Sequence, residues 1–120
     1  MPLTVLDLNQ ATSVSDLSAL QGAPLTKLYL SGTQVRDLSI VKGMPLVELD
    51  LSGCQFIKDL GPLASCRTLE KIALPRHLTN LEPLRNLYDL KFIGYANSEK
   101  DFDKLLPAAD FWKAYDARKK

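Results

Sequence analysis

LTKLYLSGTQVRDLS at 25–39 and LVELDLSGCQFIKDLGPL at 46–63 carry one pattern twice. Each opens with leucine, two residues, leucine, one residue, leucine, and each reaches an Asp-Leu pair after a short polar bend. The same opening recurs as LTVLDL from Leu3, LEKIAL from Leu69 and LYDLKF from Leu87, so the five starts lie 22, 21, 23 and 18 residues apart. Thirteen of the fifteen framework positions are Leu, the others being Ile72 and Phe92. Self-similarity at a period of 20–30 residues signals a solenoid and takes precedence over local propensity.

A second phase runs behind the first. Asp16-Leu17, Asp37-Leu38, Asp59-Leu60 and Asn80-Leu81 are each followed three positions later by Leu20, Val41, Leu63 or Leu84. Asp and Asn there read as N-caps of one short helical turn, their side-chain oxygens accepting from free N–H groups. Pro62 and Pro83 fall in that first turn, where a missing N–H costs little. Gly22-Ala23-Pro24 and Gly43-Met44-Pro45 end the turn and return the chain to the next strand. No single unit can bury its leucines, so neighbours must stack around one continuous core. Strand alternation then places the framework leucines inward and the residues between them outward.

These residues resemble the leucine-rich repeat family. LYLSGTQVRDLS at 28–39 and LDLSGCQFIKDLGPL at 49–63 are similar to the LSGT/LSGC-then-DLSPL repeats of planctomycete-type bacterial proteins, whose arrays often follow a serine/threonine kinase domain. The ending PAADFWKAYDARKK at 107–120 is similar to the terminal segment of such arrays. The resemblance spans essentially the whole chain, with a shortened fourth repeat and no kinase domain. It implies an α/β fold: a right-handed leucine-rich repeat solenoid with a parallel concave β-sheet, short 3-10 or helical turns on the convex side, and a helical C-terminal cap. Repeats occupy 1–98 and the cap 99–120. In the cap, Ser98 starts one helix with Phe102, Leu105 and Leu106 on one face. Pro107 ends it and opens a second, with Ala108, Phe111, Trp112 and Tyr115 together. A peptide groove between the two helices is the alternative use of these aromatics.

The composition excludes several function classes. A formal net charge of +1 over 120 residues shows no bias toward nucleic acid or anionic membrane. No apolar run reaches the length of a membrane span. Two cysteines are too few for a disulfide-stapled domain, and a cytoplasmic location is expected. No phosphate loop, paired-cysteine metal motif or nucleophile elbow occurs, so no cofactor, no metal and no catalysis are expected. Cys54 and His77 each lie three residues after the last framework position of their repeats, and stacking could bring them within about 5 Å. A small polar group bonding the bend is the simpler role for that position. Cys66, beside Arg67, reads as a loop thiol.

Binding is then expected on the outward strand positions. One row reads Val5, Lys27, Glu48, Lys71, Asp89, and the next Asp7, Tyr29, Asp50, Ala73, Lys91. Asp7, Lys27, Tyr29, Glu48 and Asp50 form the candidate concave site for a protein or peptide. Tyr29 serves there as an amphipathic anchor among carboxylates. The first repeat has no capping segment, so Leu3, Leu6 and Leu8 on its strand, with Leu17 and Leu20 behind, form a candidate self-association edge for a homodimer or a longer array.

Overall fold

The computed structural model describes residues 4–118. Leu3, named in the expected self-association edge, lies outside the described residues, as do Lys119 and Lys120.

Five strands follow one another across a single sheet: β1 (Val5–Asp7), β2 (Lys27–Tyr29), β3 (Glu48–Asp50), β4 (Lys71–Leu74) and β5 (Phe92–Tyr95). All neighbours among them are parallel. A short β6 (Leu106–Pro107) adds to β5 in the antiparallel sense. Between the strands lie 3-10 turns at Ser18–Leu20, Ser39–Val41, Gly61–Ser65 and Glu82–Leu84. The mid-strand leucines stack in register, Leu6 beside Leu28, Leu49, Ile72 and Ile93. Leu28, Leu49, Ile72 and Ile93 are fully buried. Each such side chain contributes roughly 1.5–3 kcal/mol of transfer free energy. The turns supply the facing wall: Leu38, Leu60 and Leu81, then Val41, Leu63 and Leu84, then Met44, Cys66 and Leu87, all buried. Cys66 is thus a core residue and not a loop thiol, because its position repeats the buried slot of Met44 and Leu87.

The Asp and Asn side chains ahead of the turns act one residue earlier than expected. Asp16 Oδ1 accepts from Ser18 N–H (2.9 Å), Asp37 Oδ1 from Ser39 (2.8 Å), Asp59 Oδ1 from Gly61 (2.8 Å) and Asn80 Oδ1 from Glu82 (3.2 Å). The N-cap itself is the following leucine. These are Asx turns that aim the leucine inward while starting the 3-10 turn.

The last repeat stands in a different register from the one expected. Lys71 pairs with Phe92, Ile72 with Ile93, and Ala73 with Gly94. The fifth framework is therefore Leu90, Ile93 and Tyr95, beginning 21 residues after Leu69. The start at Leu87 and the short fourth repeat are both corrected. Leu87 belongs to the returning turn. An odd shift sends every side chain to the opposite face, so Phe92 points out, 44% exposed, and Ile93 points in.

The two ends differ. β6 covers the edge of β5, and α1 (Ala108–Arg118) packs Phe111 and Tyr115 against the core. Tyr115 Oη accepts from Leu81 N–H (3.1 Å). Arg85 stacks over Trp112 (4.5 Å) while binding Asp116 (2.6 Å) and Glu82 (3.2 Å). The expected first cap helix is instead a 3-10 turn, Glu99–Lys104, followed by β6. Ser98 does cap it, its side chain accepting from Lys100 N–H at 3.3 Å. Phe102 is buried, Leu105 half-buried and Leu106 exposed, so the three do not share a helical face. At the other end, β1 pairs only with β2 among the described residues. Leu6, Leu8 and Leu20 are half-buried, whereas Leu17 is buried. The expectation that Leu17 lies open is corrected: its side chain joins the interior between sheet and turns.

Candidate functional site

Register fixes two outward rows on the concave face of the sheet. The first is Val5, Lys27, Glu48, Lys71 and Phe92, and the second Asp7, Tyr29, Asp50, Ala73 and Gly94. Asp89 and Lys91, expected in these rows, are displaced from them by the register of β5. Lys91 pairs instead with Glu70 at 3.3 Å.

The two aspartates of the second row are committed to their own strand ends. Asp7 Oδ1 accepts from Asn9 N–H (2.9 Å). Asp50 Oδ1 accepts from Ser52 N–H (2.9 Å) and Ser52 Oγ (2.6 Å), and the residue is 1% exposed. As a direct contact for a partner, Asp50 is corrected: its side chain organises the bend. Beside it, Ser31 Oγ lies 2.9 Å from Ser52 Oγ, whose proton goes to Asp50, and Asn9 Oδ1 accepts from Ser31 N–H (2.8 Å).

Lys27, Tyr29 and Glu48 are brought together by the sheet register. Tyr29 Oη donates to Glu48 Oε1 (2.8 Å), and Lys27 Nζ stands 4.0 Å from Glu48 Oε2. Burial pushes the Tyr29 phenol well above its ordinary range, with the Glu48 bond and the nearby charges of Glu48, Asp7 and Asp50 adding to it. Tyr29 therefore remains a donor across the physiological range.

An occupant of this face was not foreseen. The segment 96–105 crosses the sheet and lays Phe102 on it. The Phe102 ring meets Tyr29 edge-on, centroids 5.7 Å apart, and the Lys71 ammonium sits 4.3 Å from its centroid. Phe102, Ala73 and Ala96 make a small apolar cluster separate from the main core, with Tyr29 and Leu105 packed against it. Lys71 Nζ also binds Asp103 Oδ1 at 2.9 Å. The strap is tethered where Ala96 N–H donates to Leu74 O (2.9 Å) and Gly53 N–H to Ala96 O (3.3 Å). Arg76 Nε donates to Asn97 Oδ1 (3.0 Å). Small residues at 73 and 94 are the signal that makes room for it. Leu105 Cδ2 would lie 3.2 Å from a Cβ at Gly94.

Cys54 and His77 each bond to other groups. Cys54 Sγ donates to Leu30 O (3.0 Å) and lies 3.7 Å from Thr33 Oγ1. His77 Nε2 lies 2.6 Å from Ile57 O. Burial raises the Cys54 thiol and pushes Cys66 up to about 11, so neither is a thiolate at neutral pH. Among the described residues no group of three or more His, Cys, Asp or Glu could hold a metal, and no helix is long and apolar enough to cross a membrane. The groove between the strap and α1, bordered by Lys104, Leu106, Phe111 and Arg118, encloses about 170 Å³. That is below the size of ordinary ligand sites, which run from about 300 Å³ upward.

No family model and no curated protein matches the chain. Solved structures do. An internalin C2 from Listeria monocytogenes superposes with a TM-score of 0.71 at 31% identity, over 79% of this chain and 42% of its own. An internalin from the same organism, inlF, superposes with a TM-score of 0.70 at 26% identity, over 79% of this chain and 28% of its own. The chain is a leucine-rich repeat solenoid. This solenoid spans less than half the length of either internalin. Its concave sheet and 3-10 turns match the leucine-rich repeat pattern, and α1 is its helical cap.

Proposed function

We propose that the solenoid is a non-catalytic scaffold that binds a protein or peptide on its concave sheet. One observation carries this reading: Val5, Lys27, Glu48, Lys71 and Phe92 form a single outward row across five registered strands. Val5 and Phe92, both apolar and nearly half exposed, bracket three charged side chains. Apolar ends flanking a charged centre suit an extended segment that crosses the strands. The repeats at 28–39 and 49–63 keep the planctomycete-type resemblance within this reading, with a bacterial cytoplasm as the setting. Two free, buried thiols suit a reducing compartment.

The test is a random peptide library panned against the intact chain. Enriched clones should lose binding to a Lys27→Glu, Phe92→Ser double variant and keep it on a convex-face control, Lys42→Glu. Clones that bind the double variant as well as the wild type would overturn the reading.

A second reading is favoured by the half-buried Leu6 and Leu8 at the β1 end of the sheet, where β1 pairs with β2 alone among the described residues. That end would seat a further repeat or a second copy, so that the chain serves as part of a larger assembly.

A further inference from the structure

The strap across the concave face has the character of a bound ligand. Its ends are pinned, at Ala96 by Leu74 and Gly53, and at Leu106 by pairing with Ile93. Between them, the described backbone bond of the turn, Asp101 N–H to Ser98 O at 3.1 Å, stays within the segment. Phe102 and Asp103 hold the middle down, while the Arg76–Asn97 bond and Leu105 act nearer its ends. Phe102 is 9% exposed between Tyr29, Ala73 and Lys71. Asp103 is 92% exposed along its side chain and touches the sheet through Lys71 alone among its described ion pairs. Such a rim ion pair contributes little, and a loop pinned at both ends can lift locally while the sheet stays intact.

The pocket beneath is specific in its chemistry. Ala73 leaves a gap in the row where β2 carries Tyr29 and β3 Asp50. Tyr29 walls one side and is held upright by its bond to Glu48. Lys71 meets both parts of the occupant, the face of the ring at 4.3 Å and the carboxylate at 2.9 Å. One lysine reading a ring and the next residue's carboxylate selects an aromatic–acidic pair over an aromatic side chain alone.

We propose that Tyr29, Lys71 and Ala73 form a docking pocket for an aromatic side chain followed by a carboxylate. Phe102 and Asp103 fill it in the resting chain, and a partner segment carrying the same pair competes with them. This rests on the concave face being the binding surface, and it adds what that surface selects and what guards it.

The probe is a fluorescein-labelled peptide of the chain's own sequence, SEKDFDKLL, followed by anisotropy. Full-length Phe102→Ala should bind it at least tenfold more tightly than wild type. A peptide with Ala in place of Phe should lose that binding, as should Lys71→Glu in the Phe102→Ala background. Asp103→Lys keeps the ring and turns the Lys71 attraction into repulsion. It serves if Phe102→Ala is unstable, and should shift affinity in the same direction. Equal binding by wild type and both variants, or none by variants whose amide spectra show an intact sheet, would overturn the proposal. So would a wild-type dimer that Phe102→Ala abolishes, since the occupant would then be a second copy. Library clones that require Lys27 and Phe92, lack an aromatic–acidic pair and ignore Phe102→Ala would leave the concave-face reading standing and remove this one.

Discussion

The Phe102 ring stands edge-on to that of Tyr29, centroids 5.7 Å apart and planes at 81°, across a gap of more than seventy residues in sequence. The contact joins the C-terminal strap to the second repeat, on the side of the sheet away from the leucine core. Through it the strap covers part of the concave face.

Gly53 reports on the closeness of the strap. Gly53 and Gly22 both have left-handed backbones, at φ +70° and +82°. A Cβ at Gly53 would come within 2.8 Å of Asn97 O, whereas nothing lies within 4 Å of one at Gly22. Both alanine variants should lose about 1 kcal/mol from backbone strain. Gly53→Ala should lose a further 1 kcal/mol or so and expose the strap to protease. Urea denaturation compares them, and equal losses would mean that Asn97 does not lie over Gly53.

The register of β5 is tested by two neighbours. Ile93→Ala should cost about 2–5 kcal/mol as a buried large-to-small change, and Phe92→Ser less than about 1 kcal/mol. The reverse order would restore Phe92 to the core.

Stability in alkali should depend on Tyr29. Folding raises its phenol pKa, chiefly through burial and then through Glu48. Below the unfolded value of about 10 both states are neutral and the full stability is present. As pH climbs past that value the unfolded chain ionises first, and stability falls. Tyr29→Phe should therefore show a shallower loss between about pH 9 and 11 than wild type, read as the difference of two urea midpoints against pH. Parallel curves would contradict the half-buried, Glu48-bonded phenol.

The β1 end of the sheet makes a separate prediction. Leu6 and Leu8 are only half-buried where their counterparts Leu28, Leu30, Leu49 and Leu51 are fully buried. Light scattering over a concentration series should show self-association, and Leu6→Lys should abolish it. A wild type that stays monomeric at about millimolar concentration would contradict this account of the end.

Four repeats were legible from the sequence because their leucines recur at 21–23 residues and one pattern serves both strand and turn. The fifth was misread for a physical reason. Leu84, Leu87 and Leu90 are spaced as a returning turn, yet Leu87-Leu90-Phe92 also satisfies the strand spacing. That slip hid Gly94, and with it the small-residue gap where Phe102 lies. Asp7 and Asp50 show another limit: alternation places them outward correctly, but only the structure reveals that their oxygens close the strand-end bends. The strap itself reads as a cap helix, since Phe102, Leu105 and Leu106 recur at helical spacing, and nothing in that spacing tells a helix that covers the last strand from a 3-10 turn that lies on the sheet.

The most direct test of the central claim is an amide NMR titration of the intact chain with the tightest library peptide. The account predicts shifts at Lys27, Glu48, Lys71 and Phe92, together with Phe102 as the strap is displaced. Shifts confined to the convex turns at Ser39–Val41 and Gly61–Ser65, with the concave rows unmoved, would contradict it.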